Sequence, residues 1–244
     1  MTTPRILATS GGWVPGPTQG TMRPGAMVLD ALARTGRTRP RVCVLETAAG
    51  DPTSSYAMAF EAFAATGCDV TWFRVFPQPS ADPVERLCGS DLVWVGGGSV
   101  ANLLALWRLH GVDAALREAW ERGVILGGVS AGSICWHVGG PTDSFGPTLA
   151  PVYDGLALVP YGNGVHYDSE TQRRPLLQRL VADGSLPTSF ATDDHVGLWY
   201  EGDTATRVVA DVDCDPESGP AAYRVERGAD GAVETRVGVG GSFA

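Results

Sequence analysis

The chain has 244 residues, of which 44% are hydrophobic and 18% are charged, and its mean hydropathy is +0.01. This composition is typical of a globular protein with a sizeable core and excludes an intrinsically disordered chain. The 27 Asp and Glu residues outnumber the 18 Lys and Arg residues, for a formal net charge of −9. A nucleic acid or an anionic membrane therefore has little electrostatic reason to bind.

The cysteine pattern and the N-terminal sequence bear on location. The five cysteines are odd in number, widely spaced and never in a CxxC arrangement, so they predict neither a disulfide framework nor a zinc site. The N-terminus lacks the pattern of a signal peptide, and no run of about 18 apolar residues occurs. We expect a soluble, cytoplasmic protein with reduced thiols, no bound metal and no membrane partner.

Short β-branched segments alternate with longer amphipathic segments from the N-terminus to about residue 129. This rhythm is typical of a parallel sheet that helices cover on both faces. Nearly continuous apolar runs such as VCVLE and LVWVG are expected of strands buried on both sides. The predicted strands are Arg5–Thr9, Arg41–Glu46, Val70–Val75, Leu92–Val95 and Val124–Val129, and the predicted helices are 22–35, 54–66, 82–88, 100–121 and one after residue 129.

The rhythm changes after about residue 150. Four short strand patterns, HVGLWYEG, ATRVVAD, AAYRVE and AVETRVG, are separated by Gly, Asp and Pro turns, and we expect them to extend the sheet at one edge. No internal repeat or long linker divides the chain, so residues 1–244 are predicted to form a single α/β domain. The Pro- and Gly-rich segment 11–25 follows the first strand, where α/β proteins place active-site loops.

A G-x-S-x-G motif lies within the sequence VILGGVSAGSIC at residues 124–135. An apolar strand precedes it and a helical segment follows, which is the context of a nucleophile elbow with Ser130 as nucleophile. The N–H of Ala131 at the helix N-terminus would stabilise a developing oxyanion. The alternative interpretation is a tight turn with a structural serine.

Three consecutive glycines, Gly96 to Gly98, follow another apolar strand. Glycines let backbone N–H groups approach a ligand closely, which suits an oxyanion hole or an anion-binding turn. The segment lacks the Lys of a P-loop and does not match GxGxxG, so nucleotide binding is the weaker hypothesis. A turn without a ligand is the remaining alternative.

A serine nucleophile needs a base, and the chain has four histidines. His110 ends a predicted helix and His137 lies too far along the helix after Ser130 to reach its hydroxyl, so both are expected to be structural. His166, in a polar loop, is the expected base, and His195 is the reserve. Spacing does not choose the acid among the candidates Asp143, Asp168, Glu170, Asp193 and Asp194.

Five segments in order, GGGSVANLL, GGVSAGSICW, TDSFG, GVHYDSETQRR and ATDDHVGLWYEG, resemble the peptidase E family of aspartyl dipeptidase-like serine peptidases, relatives of cyanophycinase. The likeness spans residues 5–226. It implies a class I glutamine-amidotransferase-like fold: a three-layer α/β sandwich with a mostly parallel central sheet and added C-terminal antiparallel strands. It also implies hydrolysis of a peptide bond near a free N-terminus through an acyl-enzyme.

The resemblance assigns roles to individual positions. Ser130 corresponds to the nucleophile, His166 to the base and Asp143 to the acid, with Asp194 as the alternative acid. The implied oxyanion donors are the N–H groups of Gly97 or Gly98 and of Ala131. A serine at the elbow, where glutamine amidotransferases carry cysteine, argues against ammonia-channelling chemistry.

Substrate recognition is open in two respects. Arg173 and Arg174 are candidates for reading a substrate β-carboxylate, with a solvated surface pair as the alternative. Asp168 and Glu170 are candidates for binding the substrate α-ammonium group. The expected partner is a short peptide, with no cofactor, no nucleic acid, and a monomeric or homodimeric state.

Other functions fit the same motifs. A cyanophycinase-like or β-aspartyl peptide hydrolase and an esterase are the enzymatic alternatives. A non-catalytic small-molecule-binding protein on the same scaffold is the alternative from another class, because a fold does not fix a function.

Overall fold

The computed structural model of the chain describes residues 3–243. The strands are β1 (Arg5–Thr9), β2 (Trp13–Pro15), β3 (Met22–Pro24), β4 (Arg41–Leu45), β5 (Asp69–Trp72), β6 (Leu92–Val95), β7 (Ile125–Val129), β8 (Gly140–Thr142), β9 (Ala150–Val152), β10 (Gly162–Gly164), β11 (Ser189–Thr192), β12 (Val196–Glu201), β13 (Thr204–Ala210), β14 (Ala221–Gly228) and β15 (Gly231–Gly238). The helices are α1 (Ala26–Arg34), α2 (Thr53–Ala64), α3 (Pro83–Cys88), α4 (Val100–His110), α5 (Val112–Glu121), α6 (Ala131–Ile134) and α7 (Arg173–Ala182), with a 3-10 helix at Thr47–Ala49.

A seven-stranded central sheet has the order β13-β12-β1-β7-β6-β4-β5. The strands from β1 to β5 in this order pair in parallel, whereas β12 and β13 add antiparallel strands at one edge. This arrangement confirms the predicted α/β fold with a mostly parallel sheet.

The central sheet is buried on both faces. On β4, Val42 and Val44 join the apolar cluster that contains residues of α1 and α2, whereas Cys43 and Leu45 join the cluster that contains residues of α4 and α5. Because both faces are apolar, the strand sequences show no polar alternation. The two helical layers and the sheet between them form the predicted sandwich.

A second sheet, of order β10-β11-β14-β15, lies outside the central one. The chain leaves it at the end of β11 and enters the central sheet at β12 within a few residues. Helix α7 provides an apolar face for this second sheet through Leu176, Leu177 and Leu180. The expectation that the C-terminal strands extend the central sheet is therefore correct for β12 and β13 but wrong for β14 and β15.

Two predicted helices have different boundaries in the structure. Residues 22–24 pair with β2 in a β-hairpin, so the first helix begins only at Ala26. Gly111 adopts a left-handed conformation (φ +69°), which divides the predicted helix 100–121 into α4 and α5. No helix in the part of the chain described combines the length and apolarity that crossing a membrane requires.

Parallel strands bring the residues that follow them to one edge of the sheet. Ser10 follows β1, Glu46 follows β4, Gly96 follows β6 and Ser130 follows β7. In open α/β sheets this carboxyl edge is where ligands bind. The candidate site is therefore built there.

Candidate active site

Ser130 occupies a sharp turn between β7 and α6, with φ 57° and ψ −114°. A non-glycine residue with this conformation is strained, and such strain is typical of functional sites. The neighbouring glycines make the turn possible: a Cβ on Gly128 would lie 2.8 Å from the carbonyl oxygen of Val95, and one on Gly132 would lie 2.9 Å from the Val95 Cβ. This is the geometry of a nucleophile elbow.

The glycine-rich loop after β6 lies beside the serine. A Cβ on Gly97 would be 3.3 Å from the Ser130 Cβ and 3.8 Å from its Oγ. Within residues 3–243, the N–H groups of Gly97 and Gly98 donate to no backbone acceptor. Ala131 begins α6, and the first N–H groups of a helix have no intrahelical partner. The structure thus places Gly97 and Ala131 beside Ser130, and Gly98 follows in the same loop.

His166 is paired with Asp194, because its Nδ1 atom lies 2.5 Å from Oδ1 of that carboxylate. Burial alone would raise the pKa of Asp194, but hydrogen bonds from His166 and the Ser169 side chain leave this pKa below its ordinary value. Asp194 is the alternative acid of the sequence analysis. The His166 ring is therefore held by a carboxylate that stays ionised at neutral pH.

The structure does not bring Asp143, the preferred acid, to His166. Asp143 is exposed, and its carboxylate accepts no hydrogen bond from the residues described. It lies in the turn between β8 and β9, where it lines a cavity of about 510 Å³ together with Ser169 and Glu170. Among the described residues, the carboxylate that contacts the imidazole ring is therefore that of Asp194 and not that of Asp143.

Two consecutive residues at the end of β1 hold the serine and the histidine backbones. The Ser130 N–H donates to the Thr9 carbonyl oxygen at 3.1 Å, and the His166 N–H donates to the Ser10 hydroxyl at 3.0 Å. The Ser10 hydroxyl also contacts the Thr192 hydroxyl at 2.7 Å. The Ser130 hydroxyl itself forms no hydrogen bond with His166 or with another described residue. The two residues share an anchor but are not in contact through their side chains.

The Asp168 carboxylate contacts the backbone of Asp194. Its Oδ1 atom accepts the N–H of Asp194 at 2.8 Å. Asp168 therefore fixes the backbone of the residue that holds the His166 ring. This contact uses one carboxylate oxygen of a side chain that the sequence analysis considered for substrate binding.

Arg173 is engaged within the protein. It is 2% exposed, and its guanidinium donates to the Pro141 carbonyl oxygen and to the Glu170 carboxylate. Arg173 is therefore not the solvated surface residue of one interpretation, and its guanidinium is not free for the substrate carboxylate of the other. Glu170, the other acidic candidate for the substrate ammonium group, is paired with this arginine.

Arg174 is held by the second sheet. Its guanidinium lies 4.8 Å from the Tyr167 ring centroid and 4.4 Å from that of Tyr223, and it donates to Glu234 at 2.7 Å. These contacts stabilise the packing of α7 on β14 and β15. Neither arginine of the predicted pair is left free to bind a substrate carboxylate.

Two of the other three histidines, His137 and His195, have distinct environments, and His110 ends α4 as expected. His137 is buried, with Nδ1 2.9 Å from the Ser133 carbonyl oxygen and Nε2 3.0 Å from the Tyr200 hydroxyl, and burial lowers its pKa to about 4. It is structural, as expected. His195, the reserve base, is exposed, and its ring forms no hydrogen bond within the described chain.

Sequence reasoning missed two residues at the carboxyl edge of the sheet. Ser10 anchors His166, and Glu46 places a buried carboxylate against the glycine-rich loop. Each is the first polar residue after a strand that is buried on both faces. That position in an α/β sequence is a signal from which both could have been found.

An α/β fold with a serine at a nucleophile elbow, and with a histidine–carboxylate pair anchored to the same strand end, is typical of α/β serine hydrolases. Comparison with known proteins narrows the class from α/β serine hydrolases to one peptidase family. The chain belongs to peptidase family S51, whose family model matches residues 8–208. The resemblance to peptidase E is thereby confirmed, and the chain is a serine peptidase.

Individual relatives agree with this assignment. The uncharacterized peptidase YgaJ of Bacillus subtilis (strain 168) is 36% identical over 223 residues, which cover 91% of each chain. Peptidase E of Shewanella denitrificans (strain OS217) is 31% identical over 134 residues, which cover 51% of this chain and 57% of that one. The crystal structure of a peptidase from an acI-B1 Actinobacterium has the same fold, with a TM-score of 0.70 and 14% identity over 99% of this chain and 97% of the other.

Proposed function

We propose that the enzyme hydrolyses the first peptide bond of short peptides with a free N-terminus, with Ser130 as nucleophile, His166 as general base and Asp194 as the acid that orients it. The observation that carries this proposal is the 2.5 Å contact between His166 and Asp194. It is supported by the common anchor that the end of β1 gives to the Ser130 and His166 backbones.

The reaction follows from these positions. The Ser130 oxygen attacks the carbonyl carbon while Nε2 of His166 takes the hydroxyl proton. The resulting oxyanion accepts hydrogen bonds from the N–H groups of Gly97 and Ala131. His166 then gives its proton to the leaving amine as the C–N bond breaks, and water hydrolyses the acyl-enzyme with the same base.

The hydroxyl has to turn toward the imidazole for the first step. Catalytic hydrogen bonds are often long or absent before a substrate binds and tighten in the complex. A rotation about χ1 of Ser130 moves the hydroxyl without moving the backbone that Thr9 holds. Asp194 meanwhile accepts the Nδ1–H of His166, which fixes the tautomer with a free Nε2.

The contacts of the two arginines argue against a strict requirement for an N-terminal aspartate. A bidentate cation is the economical way to read a substrate carboxylate. Arg173 and Arg174 are both engaged with protein groups. We therefore propose an exopeptidase for short peptides whose first residue is not restricted to aspartate.

The test is a panel of α-Asp-Xaa, β-Asp-Xaa and other dipeptides with free and acetylated N-termini, followed by liquid chromatography. Ser130→Ala should lower kcat by a factor of about 10⁴ to 10⁶. Ser54→Ala, an exposed serine on α2, is the matched control and should leave kcat unchanged. A fluorophosphonate probe should label Ser130 in the wild-type protein.

Three outcomes would contradict the proposal. Retention of more than about a thousandth of the wild-type turnover in Ser130→Ala would exclude that nucleophile. Cleavage of acetylated peptides as fast as free ones would exclude recognition of the N-terminus. Absence of both turnover and labelling in folded protein would favour the non-catalytic alternative.

A further inference from the structure

A buried carboxylate without a partner lies at the carboxyl edge of the central sheet. Glu46 directly follows β4 and is 8% exposed. Within residues 3–243, its backbone N–H contacts the Tyr56 hydroxyl, but its carboxylate accepts no hydrogen bond and forms no ion pair. Buried carboxylates are ordinarily paired or hydrogen-bonded, so this one is an exception that calls for a reason.

The Glu46 carboxylate is mostly buried and has a second acid nearby. Neither of its oxygens is fully enclosed, although the residue as a whole is more than nine-tenths buried. Burial, and then the nearby charge of Asp51, raise its pKa to about 7. Asp51 itself is fully engaged, because it accepts hydrogen bonds from the Tyr56 hydroxyl and the Val75 N–H. A second acid beside an unpaired carboxylate creates a negative potential that attracts a cation.

This carboxylate lies against the glycine-rich loop, which also borders Ser130. A Cβ on Gly96 would overlap it, with Oε1 at 2.9 Å, so Glu46 contacts the backbone of the glycine-rich loop. The following residue, Gly97, is the one that lies against Ser130. The carboxylate and the nucleophile therefore lie against two consecutive residues of one loop, whose Cα atoms are about 3.8 Å apart.

We propose that Glu46 is a specificity-determining residue that binds a positively charged group of the substrate residue preceding the scissile bond. The group is an ammonium or guanidinium, supplied either by the free N-terminus or by a basic side chain. This inference rests on the proposed function and adds the charge that the site selects. Such a cation would supply the partner that the buried carboxylate lacks in the protein alone.

Glu46→Gln tests the proposal because it removes the charge and keeps the shape. The substrates are aminomethylcoumarin amides of alanine and lysine, each with a free and an acetylated N-terminus. We expect KM for the substrates that carry the recognised cation to rise about 10- to 100-fold, the range of a charged hydrogen bond. The change in kcat should stay within about twofold, since the nucleophile is untouched. Glu61→Gln, exposed on α2, is the matched control.

The arms of the panel identify the source of the cation. A rise in KM for free alanine but not for acetylated alanine identifies the N-terminal ammonium. A rise confined to the lysine substrates, acetylated or not, identifies the side chain. Equal losses on all four substrates, or no loss on any, would overturn the proposal.

The fluorophosphonate reaction separates this inference from the proposed function. Glu46→Gln should be labelled at Ser130 at the wild-type rate, because the probe carries no cation. Labelling that disappears in Glu46→Gln would make the residue structural and overturn the inference alone. Wild-type turnover in Ser130→Ala would instead overturn the catalytic assignment on which the inference rests.

Discussion

Two buried titratable residues that do not contact each other, Glu46 and His137, predict an unusual dependence of stability on pH. Burial raises the pKa of Glu46 from 4.5 to about 7 and lowers the pKa of His137 from 6.5 to about 4. A raised pKa contributes stability that is full below the unfolded value and is lost as pH rises through the folded value. A lowered pKa contributes stability that is full above the unfolded value and is lost as pH falls through the folded value.

The two contributions oppose each other between pH 4.5 and 6.5. In this window the folded protein holds the Glu46 proton that the unfolded chain has released, so Glu46 lowers the free energy of unfolding by about 1.4 kcal/mol per pH unit of increase. His137 is neutral when folded and protonated when unfolded, which gives a slope of the same size and opposite sign. Because the unfolded-state group is only half titrated at one edge of the window, each contribution amounts to about 2 kcal/mol over these two pH units.

The predicted quantity is the difference in the free energy of unfolding between each variant and wild type. The free energy of unfolding of Glu46→Gln relative to wild type should increase by about 2 kcal/mol from pH 4.5 to 6.5. That of His137→Gln relative to wild type should decrease by about the same amount. Urea titrations at several pH values measure both, and subtraction cancels the other carboxylates, such as Asp193 and Asp211, whose pKa values burial also raises.

The control is Ser54→Ala, an exposed residue without a titrating side chain, whose difference from wild type should be independent of pH. A pH-independent difference for Glu46→Gln would refute the reasoning, because it would mean that Glu46 has similar pKa values in the folded and unfolded states. A profile for His137→Gln that parallels the one for Glu46→Gln would refute the assigned signs. Both variants remain informative if they are destabilised overall, since only the slope is compared.

The remaining predictions concern the catalytic centre and its supports. Asp194→Asn should lower kcat on the order of 1000-fold in a steady-state assay, whereas Asp143→Asn should stay within about threefold; the reverse ranking would restore the family-based assignment. Asp168→Ala should lower kcat about tenfold with KM unchanged, and Asp168→Asn, which keeps the acceptor oxygen, should rescue it; a rise in KM in both variants would point to substrate binding instead. Gly98→Ala should lower the free energy of unfolding by about 2 to 3 kcal/mol in urea titrations, because Gly98 has φ +132° and a Cβ there would overlap a backbone carbonyl oxygen. Gly36→Ala has φ +67° but open space around its Cβ, so it should lower that free energy by only about 1 kcal/mol, and equal effects would contradict the overlap argument.

Local patterns predict most of the central sheet and the elbow. The strands β1 and β6 have the predicted bounds because each is a short apolar run closed by Gly or Ser. The Ser130 turn follows from a strand, small residues and a helix within a dozen positions. These features depend on neighbours in the sequence, so the sequence alone is sufficient to recognise them.

The choice of the acid depends on tertiary structure. Asp143 and Asp194 both lie in loops far from His166 in the sequence, and both are followed by residues that permit a turn. The β8–β9 hairpin carries one of them along a cavity wall, whereas β11 and β12 place the other at the imidazole ring. No local pattern encodes which loop reaches the histidine.

The contacts of Arg173 and Arg174 also could not be predicted from the sequence. Consecutive residues on a helix point about 100° apart, so Arg173 and Arg174 necessarily face different surroundings. Arg173 is buried and donates to the Pro141 carbonyl oxygen on β8, whereas Arg174 packs over the ring of Tyr223 in the second sheet and over that of Tyr167 in the loop after β10. The sequence cannot predict these partners, because β14 and β15 have the same alternating pattern whichever sheet they join.

The Glu46 carboxylate has no hydrogen-bond or ion-pair partner among residues 3–243, and this is a cost to stability that folding alone does not explain. Gln in place of Glu46 would keep the shape and remove the free-energy cost of the buried charge above pH 7. Retained strain and unsatisfied charge concentrate where a ligand completes the site. The pH dependence of stability and the substrate panel therefore both measure the effect of the ionised Glu46 carboxylate, the first in the free protein and the second in the complex. A residue that weakens the free protein in the ionised form should strengthen the complex in that same form.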